Sequence, residues 1–352
     1  MCQSEVVDNP LREPPVEKII RIGMDTSKQV FQVHGVDEKE RTVLKRRLRR
    51  SEVEAFFRSL PPTLIGLEAC GASHHWARVL SALGHEVRLL PPAYIKPYLK
   101  RGQKNDARDA EAICEALGRP SMRFVPVKTE MQQAALMLHS ARDLLIRQRT
   151  MLMNAIRGHA AEFGIIGAKG IGKLATLLDR VRASSIPELA REMIELLAAQ
   201  LEPLEAKLLA IDTRLRAWFL HSPQSQRLAT IPGIGVISAT RLVMKVPDPS
   251  VFRSGRHFAA WLGITPRQNS TADKERLGKI SRQGDETLRS LLVVGATAVI
   301  RCAKPGRASP WLLGLLARRP RKLVAVALAN KMARIAWAIM MRGETYRRPT
   351  VA

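Results

Sequence analysis

Cysteines and aromatic residues are scarce in this chain of 352 residues. The four cysteines, Cys2, Cys70, Cys114 and Cys302, lie far apart and include no C-x-x-C pair. This spacing argues against a disulfide framework and against a cysteine zinc site, and it indicates a reducing compartment. Aromatic residues make up 5% of the chain, so extended base-stacking platforms for single strands are not favoured.

Long apolar runs are also missing. The longest uncharged apolar stretch, residues 291–300, falls well short of the roughly 20 residues that a membrane-spanning helix needs. The N-terminus shows no basic region followed by an apolar run, so we expect no secretory signal. These two absences predict a protein of the cytoplasm with no membrane partner.

Basic residues, by contrast, are in large excess. Lys and Arg number 57 against 32 Asp and Glu, a formal net charge of +25. Residues 41–50 hold six basic side chains and no acid, and residues 318–348 hold nine with Glu344 as the one acid. Because 46% of the residues are hydrophobic, the chain can build cores and is not a disordered basic tail. The charge therefore predicts a polyanionic partner, contacted through its phosphates without sequence readout.

The first part of the chain has the pattern of an α/β domain. Residues 1–18 lack apolar periodicity and predict a flexible arm. Residues 19–25, 28–36 and 41–48 predict three strands of an antiparallel meander, followed by a helix whose capping box pairs Ser51 with Glu54. Strands over 63–68 and 86–90 then alternate with helices over 74–83, ended by Gly84, and 106–117. This order is typical of the ribonuclease H-like fold, which we assign to residues 19–125.

The remainder is predicted to be all α. Residues 129–163 and 187–219 have the periodicity of two long amphipathic helices, joined through a glycine-rich segment at 164–172. They predict a coiled-coil arm over residues 126–222, which either packs as a hairpin within one subunit or joins two subunits. Residues 223–345 alternate helices with glycine turns and predict a second compact domain, with 346–352 as a tail.

Four acidic residues occupy positions suited to a metal site. Asp25 and Glu68 end two predicted strands, and Asp106 and Asp109 share one face of a helix. Strand ends converge in a central sheet, so these carboxylates are expected to meet. Hard oxygen ligands at such density suit Mg²⁺ or Mn²⁺, which clamp a scissile phosphate. The alternative is that each acid is a helix cap or a solvated charge, with Asp106 capping its own helix.

Two further segments suggest contacts with phosphate. Residues 263–285 place hydroxyl groups among Arg and Lys in a polar stretch, as a phosphoryl-transfer nucleophile requires, although turn formation explains such residues equally well. Residues 231–236, with Gly233 and Gly235, have the pattern of a helix-hairpin-helix turn that approaches a phosphate, or of a turn that only packs. His74 and His75 are expected to be partly buried or in polar contacts, not metal ligands.

These motifs together resemble a known family. The sequences IGMDTSK at 22–28, LEACG at 67–71 and KNDARDA at 104–110 are similar to the RuvC-like Asp-Glu-Asp-Asp domain of the insertion-sequence 110/1111 transposases. IPGIG at 231–235, FAAWLGITPRQNS at 258–270 and ISRQGD at 280–285 resemble that family's C-terminal transposase domain. The resemblance covers about residues 19–343. DNA invertases of the pilin-gene type share this architecture and are the nearest alternative.

The resemblance implies a bacterial, nucleoid-associated recombinase that is guided by a structured bridge RNA to donor and target DNA. It implies that the four acids bind Mg²⁺, that Ser270 forms a covalent phosphoserine link to DNA, and that dimers join into a tetramer. The family usually continues after this serine with Ser or Thr and two glycines, whereas this chain reads Thr271, Ala272 and Asp273. The residues expected to contact nucleic acid are Gly233, Gly235, Arg267, Lys274, Arg276, Lys279 and Arg282.

Two other functions remain open at the level of sequence. A RuvC-type junction nuclease uses metal-activated water as the nucleophile, and Ser270 then has no role. A non-catalytic architectural protein needs neither the acids nor a divalent ion.

Overall fold

The computed structural model describes residues 19–99, 105–269, 276–306 and 308–347. The chain forms two compact units, Met1–Glu130 and Met131–Ala352.

The first unit is built on a five-stranded mixed sheet in the order β3-β2-β1-β4-β5. The three antiparallel strands form the predicted meander, and the last two run parallel to β1. Parallel pairing sets Met24 of β1 opposite Leu67 of β4, so both strands end at one edge. The strands are β1 (Arg21–Asp25), β2 (Val30–Val36), β3 (Thr42–Arg49), β4 (Leu64–Glu68) and β5 (Glu86–Leu90). The mixed sheet and its helices are consistent with the ribonuclease H-like fold.

Four α-helices accompany this sheet: α1 (Val53–Arg58), α2 (Ser73–Ala82), α3 (Pro92–Ile95) and α4 (Asp106–Leu117). The predicted capping box at α1 is wrong. A tight turn in which the backbone N–H of Glu52 donates to Arg49 O (2.9 Å) brings the helix start to Val53, and Glu52 takes the N-cap position without a side-chain cap. Glu54 pairs instead with Arg58 (2.6 Å). Gly84, at φ +94°, follows α2 as predicted.

Helix α4 lies directly on strand β1. The two faces of β1 differ, because Ile22 and Met24 point into a core shared with Phe31 and Trp76, while Gly23 points toward α4. A Cβ added at Gly23 would lie 2.2 Å from Ala110 O and 2.4 Å from Cys114 N. Only glycine therefore permits this approach of helix and strand.

The second unit begins with four helices: α5 (Glu130–Glu162), α6 (Leu174–Arg182), α7 (Glu188–Ala198) and α8 (Leu201–Leu220). The expectation of one helix over residues 187–219 is wrong. Pro203 lies in the first turn of α8, and its ring is incompatible with a helix that continues through residue 199. The glycine-rich segment leads into α6, which was not predicted.

Helices α5 and α8 run antiparallel along each other. Arg142 of α5 pairs with Asp212 of α8 (Nε–Oδ1, 2.5 Å). Arg149, seven residues later on α5, pairs with Glu205, seven residues earlier on α8 (3.0 Å). This is the geometry of a helical hairpin within one subunit.

The rest of the second unit is a helical core with one small sheet. Helix α14 has the length and the mean hydropathy, 1.5, of a membrane span, but 44% of its 18-residue apolar window is buried. Its inner face contributes Ala329, Met332 and Ala336 to the largest cluster of buried side chains in this unit. The elements are α9 (Pro223–Ala229), α10 (Val236–Lys245), α11 (Gly255–Trp261), β6 (Pro266–Gln268), β7 (Leu277–Ile280), α12 (Glu286–Arg301), α13 (Pro310–Arg318) and α14 (Arg321–Arg342).

Candidate functional site

Three of the four predicted acids meet at one point. One carboxylate oxygen from each of Asp25, Asp106 and Asp109 lies within 4.8 Å of the others. Asp25 ends β1, and the other two occupy the first turn of α4. The side chain of Asn105 caps this helix by accepting from Ala107 N (3.1 Å). Asp106 therefore does not cap its own helix, and its carboxylate belongs to the cluster.

Glu68 lies near this cluster but is not one of the three acids whose carboxylate oxygens lie within 4.8 Å of one another. It ends β4, which pairs with β1, and its negative charge contributes to the raised pKa of Asp25. Glu68 and Asp109 also line one cavity of about 1020 Å³. The four acids thus share one region of the first unit, as the strand order predicted.

The electrostatics of the cluster favour a bound cation. Burial, followed by the charges of Asp109, Asp106 and Glu68, raises the pKa of Asp25 from 3.8 to about 6. Negative charges held this close are unfavourable until a counter-charge is present. A divalent cation supplies that charge, and carboxylate oxygens are the donors that Mg²⁺ and Mn²⁺ prefer.

His74 is a polar contact and not part of this cluster. Its Nδ1 accepts from the backbone N–H of Lys128 (3.1 Å). The sequence-based expectation of a polar contact is confirmed for this residue.

Four predicted nucleic-acid contacts lie on one β-hairpin of the second unit. Arg267 is on β6, Lys279 is on β7, Arg276 precedes β7, and Arg282 follows it. All four side chains are exposed, and the hairpin closes through Asn269 N and Arg276 O (2.9 Å). Ser270, Lys274, Thr271, Ala272 and Asp273 lie outside the described residues. The described part of the hairpin is therefore a concentrated positive surface on both sides of the predicted nucleophile in sequence.

A glycine pair and an arginine hold the base of this hairpin. Gly263 and Gly284 both have positive φ, and a Cβ at Gly284 would lie 1.8 Å from Trp261 O. Nη1 of Arg289 on α12 donates to Leu262 O (3.1 Å) and to Gln283 O (3.0 Å). Arg289 thus ties the two ends together. Sequence reasoning missed Arg289, because nothing in a helical arginine indicates which distant carbonyls it reaches.

The two glycines of the α9–α10 turn differ in their surroundings. Gly233 has φ +88°, and a Cβ there would lie 2.7 Å from Gly295 O of α12. Gly235 is the N-cap of α10, has no side-chain cap, and would place a Cβ in open space. Packing therefore accounts for Gly233, whereas Gly235 leaves the helix N-terminus accessible.

Comparisons with known proteins agree with this arrangement. Residues 22–164 match a family model described as a transposase, of the Asp-Glu-Asp-Asp type of the IS110 group. Residues 225–310 match a second model, described as a transposase of the IS116/IS110/IS902 family. The chain belongs to this transposase family. The resemblance seen in the sequence motifs is confirmed, and with it an activity in DNA recombination and the use of a DNA substrate.

Relatives in the family cover nearly the whole chain. A putative transposase of Sinorhizobium fredii is 56% identical over 352 residues, 99% of this chain and 91% of that protein. A probable family 20 transposase of Pseudomonas aeruginosa is 50% identical over 334 residues, 93% of this chain and 98% of the other. The transposase for insertion sequence element IS1328 of Yersinia enterocolitica is 38% identical over 327 residues, 92% and 98% respectively.

The invertases are more distant relatives. A pilin gene-inverting protein of Moraxella bovis is 27% identical over 120 residues, 34% of this chain and 37% of that protein. The similarity covers one segment, whereas the three transposases above cover 92% to 99% of the chain.

Proposed function

We propose that this transposase cuts and rejoins DNA strands of a mobile element at a Mg²⁺ site formed by Asp25, Glu68, Asp106 and Asp109. The observation that carries the proposal is the cluster of three carboxylates within 4.8 Å. Mn²⁺ fits the same oxygen donors. When bound, the ion supplies positive charge that orients and polarises the attacked phosphate.

The protein's own residues prepare that site. The short separation of Asp106 and Asp109 follows from their place in one helical turn, and the contact of α4 on Gly23 holds that turn against Asp25. The raised pKa of Asp25 means that its proton must leave before the carboxylate serves as a ligand. The Asp-Glu-Asp-Asp family match supports the same role for Glu68.

The nucleophile in this proposal is Ser270. Its Oγ forms a bond to phosphorus as the phosphorus–oxygen bond to deoxyribose breaks, and the hydroxyl proton passes to solvent while the departing oxygen takes up a proton. The exposed cations Arg267, Arg276, Lys279 and Arg282, with Lys274, neutralise the phosphate in this scheme. The family resemblance and the matched domain at residues 225–310 support it.

Guidance by a bridge RNA is the second element of the proposal. It follows from the resemblance, and the net charge of +25 suits a protein that holds RNA and two DNA duplexes together. RNA that co-purifies with the protein and derives from sequence next to its own gene supports guidance. A preparation without such RNA that still recombines DNA contradicts it.

Assembly of dimers into a tetramer is the third element. Met137, Leu144 and Met151 lie seven residues apart on α5 and expose 69%, 48% and 70% of their surface. This heptad spacing supports contact with another α5 helix. Replacing Leu144 and Met151 with glutamate should lower the mass measured by light scattering below that of the tetramer, whereas an unchanged mass rejects this interface.

The decisive experiment tests Ser270 and the acids separately. Wild-type protein with Mg²⁺ should leave protein covalently attached to cut DNA. Ser270→Ala should abolish both attachment and cutting, and Asp25→Asn should abolish cutting while DNA binding in EDTA persists. Normal cutting by Ser270→Ala rejects the serine and favours a junction nuclease that uses water.

Inversion is the second candidate outcome, and the Moraxella relatives support it. A plasmid that carries two element ends in inverted orientation distinguishes the two. Excised or inserted product indicates transposition, and a flipped segment without excision indicates an invertase.

A further inference from the structure

The second unit also contains a basic groove. It has a volume of about 820 Å³, within the range of ligand sites, and lies between α11, α13 and α14. Gly255 of α11 sets the distance between two of these helices, because a Cβ there would lie 3.1 Å from Arg334 O of α14. The side chains that matter below are Arg256, Trp311, Asn330, Lys331, Arg334 and Trp337.

The charge of this groove is of one sign. Arg256, Lys331 and Arg334 line it, and none of its described lining residues is acidic. The sequence shows why, since no Asp or Glu occurs between Glu286 and Glu344. Three cations without a carboxylate among them favour an anionic ligand.

An aromatic ring lies among these cations. Trp311 is 39% exposed. All five tryptophans lie within the described residues, and the other four expose less of their surface. Lys331 Nζ lies 4.3 Å from the centre of the Trp311 ring and covers one side. The wall beside it is fixed, because Trp337 Nε1 donates to Pro249 O (3.1 Å).

The groove also connects to the hairpin that carries the predicted nucleophile. Asn330 of α14 donates from Nδ2 to Ile264 O (3.1 Å), two residues before β6. A ligand held on α14 therefore lies on a helix that is hydrogen-bonded to the chain just before that hairpin.

We propose that this groove binds a single-stranded segment of nucleic acid, with one base stacked on Trp311 and the neighbouring phosphates on Arg256, Lys331 and Arg334. A group of cations alone binds the phosphates of single-stranded and double-stranded nucleic acid alike. An exposed tryptophan in the same groove adds a surface on which an unpaired base can stack and a paired base cannot. The general scarcity of aromatic residues fits a site for one base instead of an extended platform.

The test measures binding without chemistry. Fluorescence anisotropy in EDTA follows labelled oligothymidine, oligouridine and a duplex of equal length, so loss of the metal reaction does not affect the result. Trp311→Ala should weaken single-strand binding about tenfold, which corresponds to about 1.4 kcal/mol and lies within the range for a base stacked on an aromatic side chain. Duplex binding should stay unchanged, and Trp311→Phe should keep most of the single-strand affinity.

The cations are tested by a matched pair of double variants on α14. Lys331→Gln with Arg334→Gln removes two groove charges and should reduce the salt dependence of single-strand binding by about 1.4 log units per log unit of salt. Arg321→Gln with Lys322→Gln removes two charges from the same helix outside the groove and should leave the preference for single strands intact. Comparison of oligothymidine with oligouridine shows whether DNA or RNA is the tighter ligand.

Three outcomes overturn the proposal. One is an equal loss of duplex and single-strand binding in Trp311→Ala, and another is no loss of either. The third is that polyglutamate displaces the oligonucleotides and binds the wild type and Trp311→Ala equally well. That result indicates a site for an acidic peptide. Thermal melting of each variant shows that it is folded.

Discussion

The carboxylate cluster should destabilise the metal-free protein, and Asp25→Asn should relieve this. In the folded state the pKa of Asp25 is about 6, against an ordinary value of 3.8, mainly because of burial and the charges of Asp109 and Asp106. The folded protein therefore holds this proton more tightly than the unfolded chain does. Stability is unaffected by this group below pH 3.8, falls as the pH rises toward 6, and stays reduced above it.

The size of this effect follows from the difference between the two pKa values. About 2 pKa units correspond to about 3 kcal/mol at 1.36 kcal/mol per unit. Because part of the side chain remains in water, screening reduces this to about 1–2 kcal/mol. For a unit of this size, we expect Asp25→Asn to raise the melting temperature by about 4–10 °C in EDTA at pH 8.

The assay is thermal unfolding at pH 4 and pH 8, with and without Mg²⁺. At pH 4 most Asp25 carboxyls in the wild type are protonated, so the gain from Asp25→Asn should largely disappear. Mg²⁺ at about 100 times its dissociation constant should stabilise the wild type by about 2.7 kcal/mol and the variant far less. Glu38→Gln, in the exposed turn between β2 and β3, is the control and should change neither. An equal gain from Asp25→Asn at both pH values refutes the electrostatic argument.

Three further predictions concern the second unit. Burial lowers the pKa of His139 from 6.5 to about 4, so stability should fall as the pH drops from 6.5 toward 4, and His139→Gln should flatten this part of a melting-temperature profile. Asp143→Ala removes the partner of the buried Arg241 (2.8 Å) and should cost about 3–5 kcal/mol in urea unfolding, with a smaller loss when Arg241→Met is added. Gly295→Ala would place a Cβ 2.0 Å from the carbonyl oxygen of the α9–α10 turn and should lower the melting temperature. A Cβ at Gly314 of α13 would lie in open space, so Gly314→Ala should stabilise the protein by up to about 1 kcal/mol and raise the melting temperature. A higher melting temperature for Gly295→Ala than for Gly314→Ala contradicts the packing argument.

The sequence predicted the first unit well because its signals are local. Short apolar runs predicted β1, β4 and β5, alternating residues predicted β2 and β3, and Gly84 predicted the end of α2. The positions of Asp25 and Glu68 at strand ends sufficed to expect their convergence, since neighbouring parallel strands end at one edge. In the structure the charge of Glu68 contributes to the raised pKa of Asp25, and the closest group is formed by Asp25 with Asp106 and Asp109.

Other features depend on contacts that sequence patterns do not contain. Apolar periodicity over residues 187–219 continues through Pro203, so pattern alone missed the break that the proline ring imposes. Gly233 and Gly235 look equivalent in sequence, yet only Gly233 packs against α12. The groove at Trp311 joins three helices that are up to about eighty residues apart in the chain, and no local pattern brings them together.

The direct contact of α4 with β1 has a consequence for how the family can vary. Main-chain atoms of residues 110 and 114 lie against Gly23 without a side chain between them. This contact between two backbones sets the distance from Asp25 on β1 to the acids on α4. Substitutions elsewhere in the core can change the stability of the unit and leave that distance as it is. The acidic cluster can thus tolerate wide divergence around it, while position 23 itself admits no replacement.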